Sequence, residues 1–407
     1  MDVRSKVQEL VKESECVELL KRWVAVNTEN PPGLENPLAE IIHRQLSDWG
    51  FNSELFETLP NRLDVIATVP GSQGNPRLMF NGHMDVVPAG ERSHWTVTGP
   101  YDPIVKDGKL YGRGSCDQKG GLVAQTIAAK ALKDAGVKLK GDLILTYVIG
   151  EEMGEPGSKY LFTKKQIKAD WGVVTEPTGT NEGLRVAVAQ CGLVWIHIAV
   201  RGQSTHASTP HAGINAISKA TRVVQALEKY HQGLSSRKHP LIAPPRCTVT
   251  NLHGGIKENV IPDLCKITID RRMIPGENVK QVVGEVTEIL EGLKKSDPDF
   301  RYTLKYGSES YDTEGTGVYE PSESPESSKL CQTMLRNQKE VMRIAPPVWG
   351  TPYSSDMRNL VHDGKIETVT FGPGMVEWCH RPDEFVAMQE VVEVARVLAL
   401  TAIDLLG

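Results

Sequence analysis

Histidines and carboxylates recur where apolar runs of this chain stop. His83 and Asp85 close "RLMFNGHMD", Glu151 and Glu152 close "DLILTYVIGEE", and Glu176 follows "WGVV". Asp117 lies in "YGRGSCDQKGG", immediately before a helical pattern, and His380 stands in "WCHRPDEF" after the run "TVTFGPG". Two imidazoles with several carboxylates form a donor set suited to zinc, and also to manganese or cobalt; calcium and magnesium seldom use imidazole. Asp85, two residues beyond His83, is placed to accept a hydrogen bond from the ring nitrogen that does not bind metal. That would fix the tautomer and strengthen the other nitrogen as a donor. Each pattern also has an ordinary reading, a loop hydrogen bond for His-x-Asp and surface charge for Glu-Glu. The buried apolar run before Glu151 argues against solvent-exposed charge there. Cys116, beside Asp117, raises a redox role that the sequence disfavours, because no second cysteine is near it.

Open α/β sheets place ligand sites beyond the carboxyl ends of their strands, so these residues need strands to carry them. Helical spacing marks residues 37–49 and 118–135, the latter with Leu122, Ile127 and Leu132 inward. "RLDVIATVPG", "RLMFNGHMD", "DLILTYVIGEE" and "DWGVVTEP" read as strands, and the alternation implies a mostly parallel sheet covered by helices. From residue 184 the grammar changes. "RVAVAQCGLVWIHIAVRG" alternates like an antiparallel strand pair, and "INAISKATRVVQALEKY" is an amphipathic helix. Then come strands in "CTVTNLHGG" and "DLCKITIDRRMIP", and a helix in "ENVKQVVGEVTEILEGLKK" with Val282, Val286 and Leu290 on one face. The expectation is an α/β catalytic domain, residues 1–183 and 298–407, interrupted at 184–297 by a two-layer α+β unit resembling a ferredoxin-like fold. Residues 319–328, "YEPSESPESS", read as a loop, and "IETVTFGPG" and "MQEVVEVARVLALTAIDLL" as a strand and closing helix.

A chain of 407 residues suggests two domains. A net charge of −5 without a basic block argues against nucleic acid or an anionic membrane as partner. The first twenty residues hold no apolar core of signal-peptide length, and no segment approaches a membrane span. Seven scattered cysteines without a CxxC pair fit reduced thiols, so a cytoplasmic location is expected.

With these residues in place, the chain resembles the co-catalytic zinc hydrolases that include acetylornithine deacetylase, succinyl-diaminopimelate desuccinylase, aminoacylase and glutamate carboxypeptidase. The motifs that carry the resemblance are "GHMDVVPAG", "YGRGSCDQKGG", "GEEMGEPGS", "TEPTG", "RGQSTHAS", "ENVIP", "DRRMIPGE" and "HRPDEFV", in this order over nearly the whole length. The resemblance implies two divalent ions per chain, zinc first and cobalt or manganese as alternatives, sharing a hydroxide. His83 and Glu176 would bind one ion, Glu152 and His380 the other, and Asp117 would bridge them. Glu151 would be the general acid/base and Asp85 the partner of His83. His206, on the inserted domain that mediates dimerisation in this family, resembles a histidine that polarises the scissile carbonyl. Asn259 and Arg272 match positions that hold the substrate's carboxylate. Gln118, Thr175 and Tyr101 depart from the residues usual beside these motifs, and none is a proposed ligand. The implied activity is hydrolysis of an N-acyl amino acid or similar small amide by a homodimer. A carboxypeptidase or dipeptidase on the same metal core is the second reading. A catalytically silent ligand-binding protein is the third, and it is disfavoured by Glu151, a base that binding alone does not need.

Overall fold

Runs rich in valine, isoleucine and leucine build the centre of the larger sheet. In a computed structural model describing residues 2–307 and 317–407, that sheet has ten strands. Its central strands follow the order Arg62–Val69, Gly141–Val148, Gly74–His83, Trp171–Thr180, Glu367–Met375 and Ala187–Gln190. The four from Gly141–Val148 to Glu367–Met375 are mutually parallel, while Asn52–Leu59, Arg62–Val69 and Ala187–Gln190 add antiparallel pairings on either side. The mostly parallel α/β expectation therefore holds. Helices Gly120–Ala135 and Met388–Leu406 are buried along most of their length, as expected of helices pressed on a sheet and on each other. The pair Gly120-Gly121 has a steric reason. A Cβ on Gly121 would stand 2.0 Å from the carbonyl oxygen of Thr175, so glycine lets this helix start directly against the strand Trp171–Thr180.

The chain divides into two compact units. One runs to Ala189 and adds Glu323–Gly350 and Ser355–Gly407; the other comprises Gln190–Ser322 and Thr351–Ser354. The second unit follows the order strand, helix, strand, strand, helix, strand. Its strands lie as Arg246–Gly254, Leu264–Met273, Gly192–Arg201 and Arg301–Tyr306, all neighbours antiparallel. That is the ferredoxin-like arrangement. Helices Ala216–Leu234 and Val279–Ser296 start at Asn215 and Asn278, whose side chains accept from the backbone N–H of Ser218 and Gln281. Their apolar faces, including Val223, Leu227, Val282, Val286 and Leu290, bury against Ile196, Ile198, Ile267 and Ile269 of the sheet.

Three sequence expectations change. The unit runs from Gln190 to Ser322 rather than over 184–297, because Arg301–Tyr306 and then Val318–Tyr319 pair with Gly192–Arg201 and complete the five-stranded small sheet. The span 298–407 also contains residues 308–316, which lie outside the described residues. "RVAVAQCGLVWIHIAVRG" is no hairpin. Ala187–Gln190 joins the large sheet and Gly192–Arg201 the small one, with Cys191 between them. Alternation identifies the buried face of a strand but not its partner. Finally, 319–328 is not wholly loop: Ser322–Glu323 pairs at the edge of the large sheet, and the Ser328 hydroxyl caps helix Lys329–Met342 by accepting from Cys331 N–H at 3.1 Å. Among the described residues no helix is long and apolar enough to cross a membrane.

Candidate metal centre

The parallel strands deliver the acidic and imidazole groups to one edge of the sheet. His83 is the last residue of its strand, and the short turn Glu151–Met153 opens just beyond Val148. His380 follows Met375 after one further turn, in left-handed backbone (φ 62°). Asp117 comes from the turn Ser115–Lys119 that leads into helix Gly120–Ala135. Glu176 differs from expectation. It does not end its strand, which continues to Thr180, but sits where the register with Glu367–Met375 slips between Thr370 and Gly372. A bulge of this kind re-aims a side chain without ending the strand.

Asp117 stands between the two imidazoles. Its Oδ1 is 3.1 Å from His83 Nε2 and its Oδ2 is 3.1 Å from His380 Nε2. Each imidazole meets a second carboxylate, Glu176 Oε1 at 3.2 Å from His83 Nε2 and Glu152 Oε1 at 3.1 Å from His380 Nε2. The structure thus forms two donor triads, His83–Asp117–Glu176 and Asp117–Glu152–His380, each with its ligand atoms within 4.8 Å of one another. Donors about 2.1 Å from a tetrahedral ion are about 3.4 Å apart, so both triads have the span a divalent cation needs. The tautomer points the same way. His83 Nδ1 lies 2.9 Å from the carbonyl oxygen of Asp85, which can only accept, so the proton of a neutral ring sits on Nδ1. The Nε2 lone pair then faces two carboxylate oxygens, an arrangement that a cation between them resolves.

Electrostatics in the protein alone reflect the same crowding. Burial pushes Glu176 up to about 8, with Asp117 adding repulsion. Burial also raises Glu151 well above the ordinary carboxylate range; Glu176, Glu152 and Glu155 add to it and His83 opposes. Burial works against charge on His380, yet Asp117 and Glu152 outweigh it and raise the imidazole to about 11. Asp117 is held low by His380 and His83 in spite of its burial. Glu151 belongs to neither triad, its Oε2 being 3.9 Å from His83 Nε2.

Two further carboxylates hold the backbone beneath these groups. Asp85 meets His83 chiefly through its carbonyl, its Oδ1 lying 3.4 Å from Nδ1. Its side chain instead accepts from the N–H groups of Glu151 at 3.1 Å and Glu152 at 3.2 Å and from Asn30 Nδ2 at 2.8 Å. The carboxylate expected to partner His83 stands beside Nδ1, while a two-residue step after a strand end brings the carbonyl nearer the ring and lets the carboxylate reach the next strand's turn as well. Glu384 does the equivalent for Asp117. Its Oε1 accepts from Cys116 N–H at 3.0 Å and Asp117 N–H at 3.1 Å, while Arg113 pairs with the same carboxylate. Gln118 Oε1 accepts from His83 N–H. Glu384, Arg113 and Asn30 are not singled out by the sequence, and Gln118 stands out there only as a departure from the residue usual beside its motif. Glu384 carried one faint signal, four residues from His380 within the quoted "HRPDEFV".

His206, Asn259 and Arg272 belong to the second unit. His206 is exposed, its Nδ1 2.7 Å from Ser208 Oγ, and Ala207 N–H donates to the Asn259 carbonyl at 3.0 Å, which places those two segments together. Arg272 is paired through Nε and Nη2 with Asp270 at 2.8 and 3.2 Å.

A site of paired imidazole–carboxylate triads at the carboxyl edge of a parallel sheet, with a half-buried non-ligating glutamate beside it, defines a metal-dependent hydrolase. The model of peptidase family M20/M25/M40 matches residues 79–404, and the chain belongs to that family. It is 28% identical over 404 residues to N-formyl-4-amino-5-aminomethyl-2-methylpyrimidine deformylase of Halalkalibacterium halodurans, covering 94% of this chain and 92% of that one. It is 26% identical over 392 residues to a probable succinyl-diaminopimelate desuccinylase of Staphylococcus epidermidis, covering 93% and 94%. The crystal structure of an M20 family metallo-carboxypeptidase from Sulfolobus solfataricus shares the fold, with a TM-score of 0.78, 17% identity, and coverage of 96% and 98%.

Replacing Asp85 tests the supporting layer. Asp85→Asn retains the carbonyl that meets His83 but weakens the acceptor for the Glu151 and Glu152 amides, so metal affinity is expected to fall about 10- to 100-fold with the fold intact. Competition against a chromophoric chelator, alongside circular dichroism, checks this; unchanged affinity contradicts the role given to Asp85.

Proposed function

We propose that the protein hydrolyses the amide of a small N-acyl amine or N-acyl amino acid, with His83 and Glu176 holding one divalent ion, Glu152 and His380 a second, and Asp117 both. The observation that carries this reading is the position of Asp117, one carboxylate oxygen toward each imidazole at 3.1 Å. The donor set of nitrogen and carboxylate oxygen favours zinc, with cobalt or manganese as substitutes. Ions held there would supply Lewis acidity to the amide carbonyl and to the attacking water.

The chain's own groups divide the remaining work. Glu151, half-buried and outside both triads, takes a proton from the attacking water on its carboxylate and hands it to the departing amine. Asp85 keeps the Glu151–Glu152 turn fixed through two amide bonds, so that neighbouring carboxylates serve different partners. His206 donates to the carbonyl oxygen as charge develops there. Asn259 and Arg272 hold the substrate's carboxylate; of the arginine's terminal nitrogens, Nη1 is the one not engaged by Asp270. The second unit thereby acts as a substrate lid and as the dimerisation surface of a cytoplasmic homodimer. The names of the relatives, a deformylase and a desuccinylase, support deacylation ahead of peptide cleavage.

Assayed on formyl, acetyl and succinyl amines beside dipeptides, Glu151→Ala is expected to keep its metal and lose roughly 10²–10⁴-fold in rate on the preferred N-acyl substrate. Glu152→Ala should instead lose metal. Equal metal loss in both variants contradicts the division of roles, and exclusive cleavage of dipeptides contradicts deacylation. A second experiment mixes inactive His206→Ala and Glu151→Ala chains. If His206 completes the partner's site, one site of the mixed dimer carries both defects and the other neither, so activity returns. No recovery, with mixed dimers formed, places His206 in its own chain's site.

A further inference from the structure

No second cysteine stands near Cys116 along the sequence, but one lies against it in space. Cys116 Sγ lies 3.5 Å from Cys379 Sγ, although 263 positions separate the residues. Both sulfurs also approach the carbonyl oxygen of Met375, at 3.5 and 3.7 Å. Room for the pair is made by Gly374, where a Cβ would stand 2.4 Å from Cys116 Sγ. Cys116 is buried and Cys379 only partly so; the other five cysteines are buried. Cys116 immediately precedes Asp117, and Cys379 immediately precedes His380.

The geometry points to Cys116 and Cys379 as an oxidisable dithiol, closed to a disulfide by a hydroperoxide, that disables the Asp117–Glu152–His380 triad. Its effect on metal rests on the ligand assignment proposed above; disulfide formation itself does not. Oxidant reaches the partly exposed thiol first. Cys379–SH with one hydroperoxide gives the sulfenic acid Cys379–SOH and water, or the alcohol of an organic peroxide. The Cys116 sulfur then attacks the Cys379 sulfur, the S–O bond breaks, and a second water departs with the thiol proton. Two electrons leave the dithiol, and the peroxide O–O bond accepts them.

Closure is mechanically costly for the site. A disulfide requires about 2.05 Å between sulfurs, so the pair must draw in by more than an ångström. The shift acts on two peptides that each continue into a member of the same triad. On one side Glu384 fixes the N–H groups of Cys116 and Asp117 together, so Cys116 cannot move without disturbing the support of Asp117. On the other, His380 occupies left-handed backbone that a non-glycine residue holds only when its surroundings dictate it. Loss of register between Asp117 and His380 weakens the second ion most, because two of its three ligands move, and the first ion less, through Asp117 alone.

Purified full-length protein, loaded with zinc, is treated with hydrogen peroxide, and its peptides are mapped by mass spectrometry before and after reduction. The expected result is a Cys116–Cys379 linked peptide lighter by two hydrogens, a fall in metal affinity and turnover of about tenfold or more, and recovery of both with dithiothreitol. Cys379→Ser is expected to resist that reversible loss while keeping the untreated activity. Oxidation of Cys379 to the sulfinic acid without the linked peptide overturns the proposal. So does a linked peptide with metal content and turnover unchanged, or a Cys379→Ser chain as peroxide-sensitive as the parent. If the ligand assignment alone is wrong, the linked peptide still forms but the untreated protein holds no metal at the triads, so the two readings fail separately.

Discussion

Buried and half-buried carboxylates crowded around two imidazoles are unfavourable unless positive charge is shared among them, and Asp117 sits where that sharing occurs. Each of its oxygens faces a different imidazole at 3.1 Å, and every other donor is arranged about it. Taking such groups out of water costs several kcal/mol per ion even after relaxation. The raised pKa values of Glu151 and Glu176 are the mark of that cost in the protein alone. Divalent cations offset it directly, which is why the donor set makes physical sense in a metal-dependent hydrolase.

Holding that arrangement falls to backbone amides rather than to more charge. Asp85 binds the N–H groups of Glu151 and Glu152, and Glu384 those of Cys116 and Asp117. Amide donors neutralise a buried carboxylate locally and fix the turn that carries the neighbouring functional groups. Glu384 adds a link between chain segments, because it follows His380 by four residues while supporting Asp117. The sheet supplies the coarse positions at its carboxyl edge; these two carboxylates supply the fine ones.

Much of this was legible in the sequence where function is local in the chain. Strand ends carrying His83, Glu151 and Glu152, and a turn carrying Asp117, follow from apolar runs that stop at acidic or histidine residues. Glu176 was found but misplaced at a strand end, since a bulge depends on the register of the neighbouring strand. Asp85 stands beside His83 as the spacing expects, but its carbonyl comes closer to the ring than its carboxylate, because spacing fixes proximity and not which oxygen arrives first. The strand Arg301–Tyr306 of the small domain lies beyond the bounds read from the sequence because it pairs with a strand a hundred residues earlier. Pairings of that range, like Glu384 with Asp117 and Cys116 with Cys379, are tertiary facts with no periodic signature.

The central claim is that two cation sites share Asp117, and the number of ions bound tests it most directly. Elemental analysis of protein purified without chelator, then titrated with zinc and desalted, is predicted to give two ions per chain, and one or none after Asp117→Ala. A single ion in the parent chain, or two ions retained by Asp117→Ala, would contradict the account.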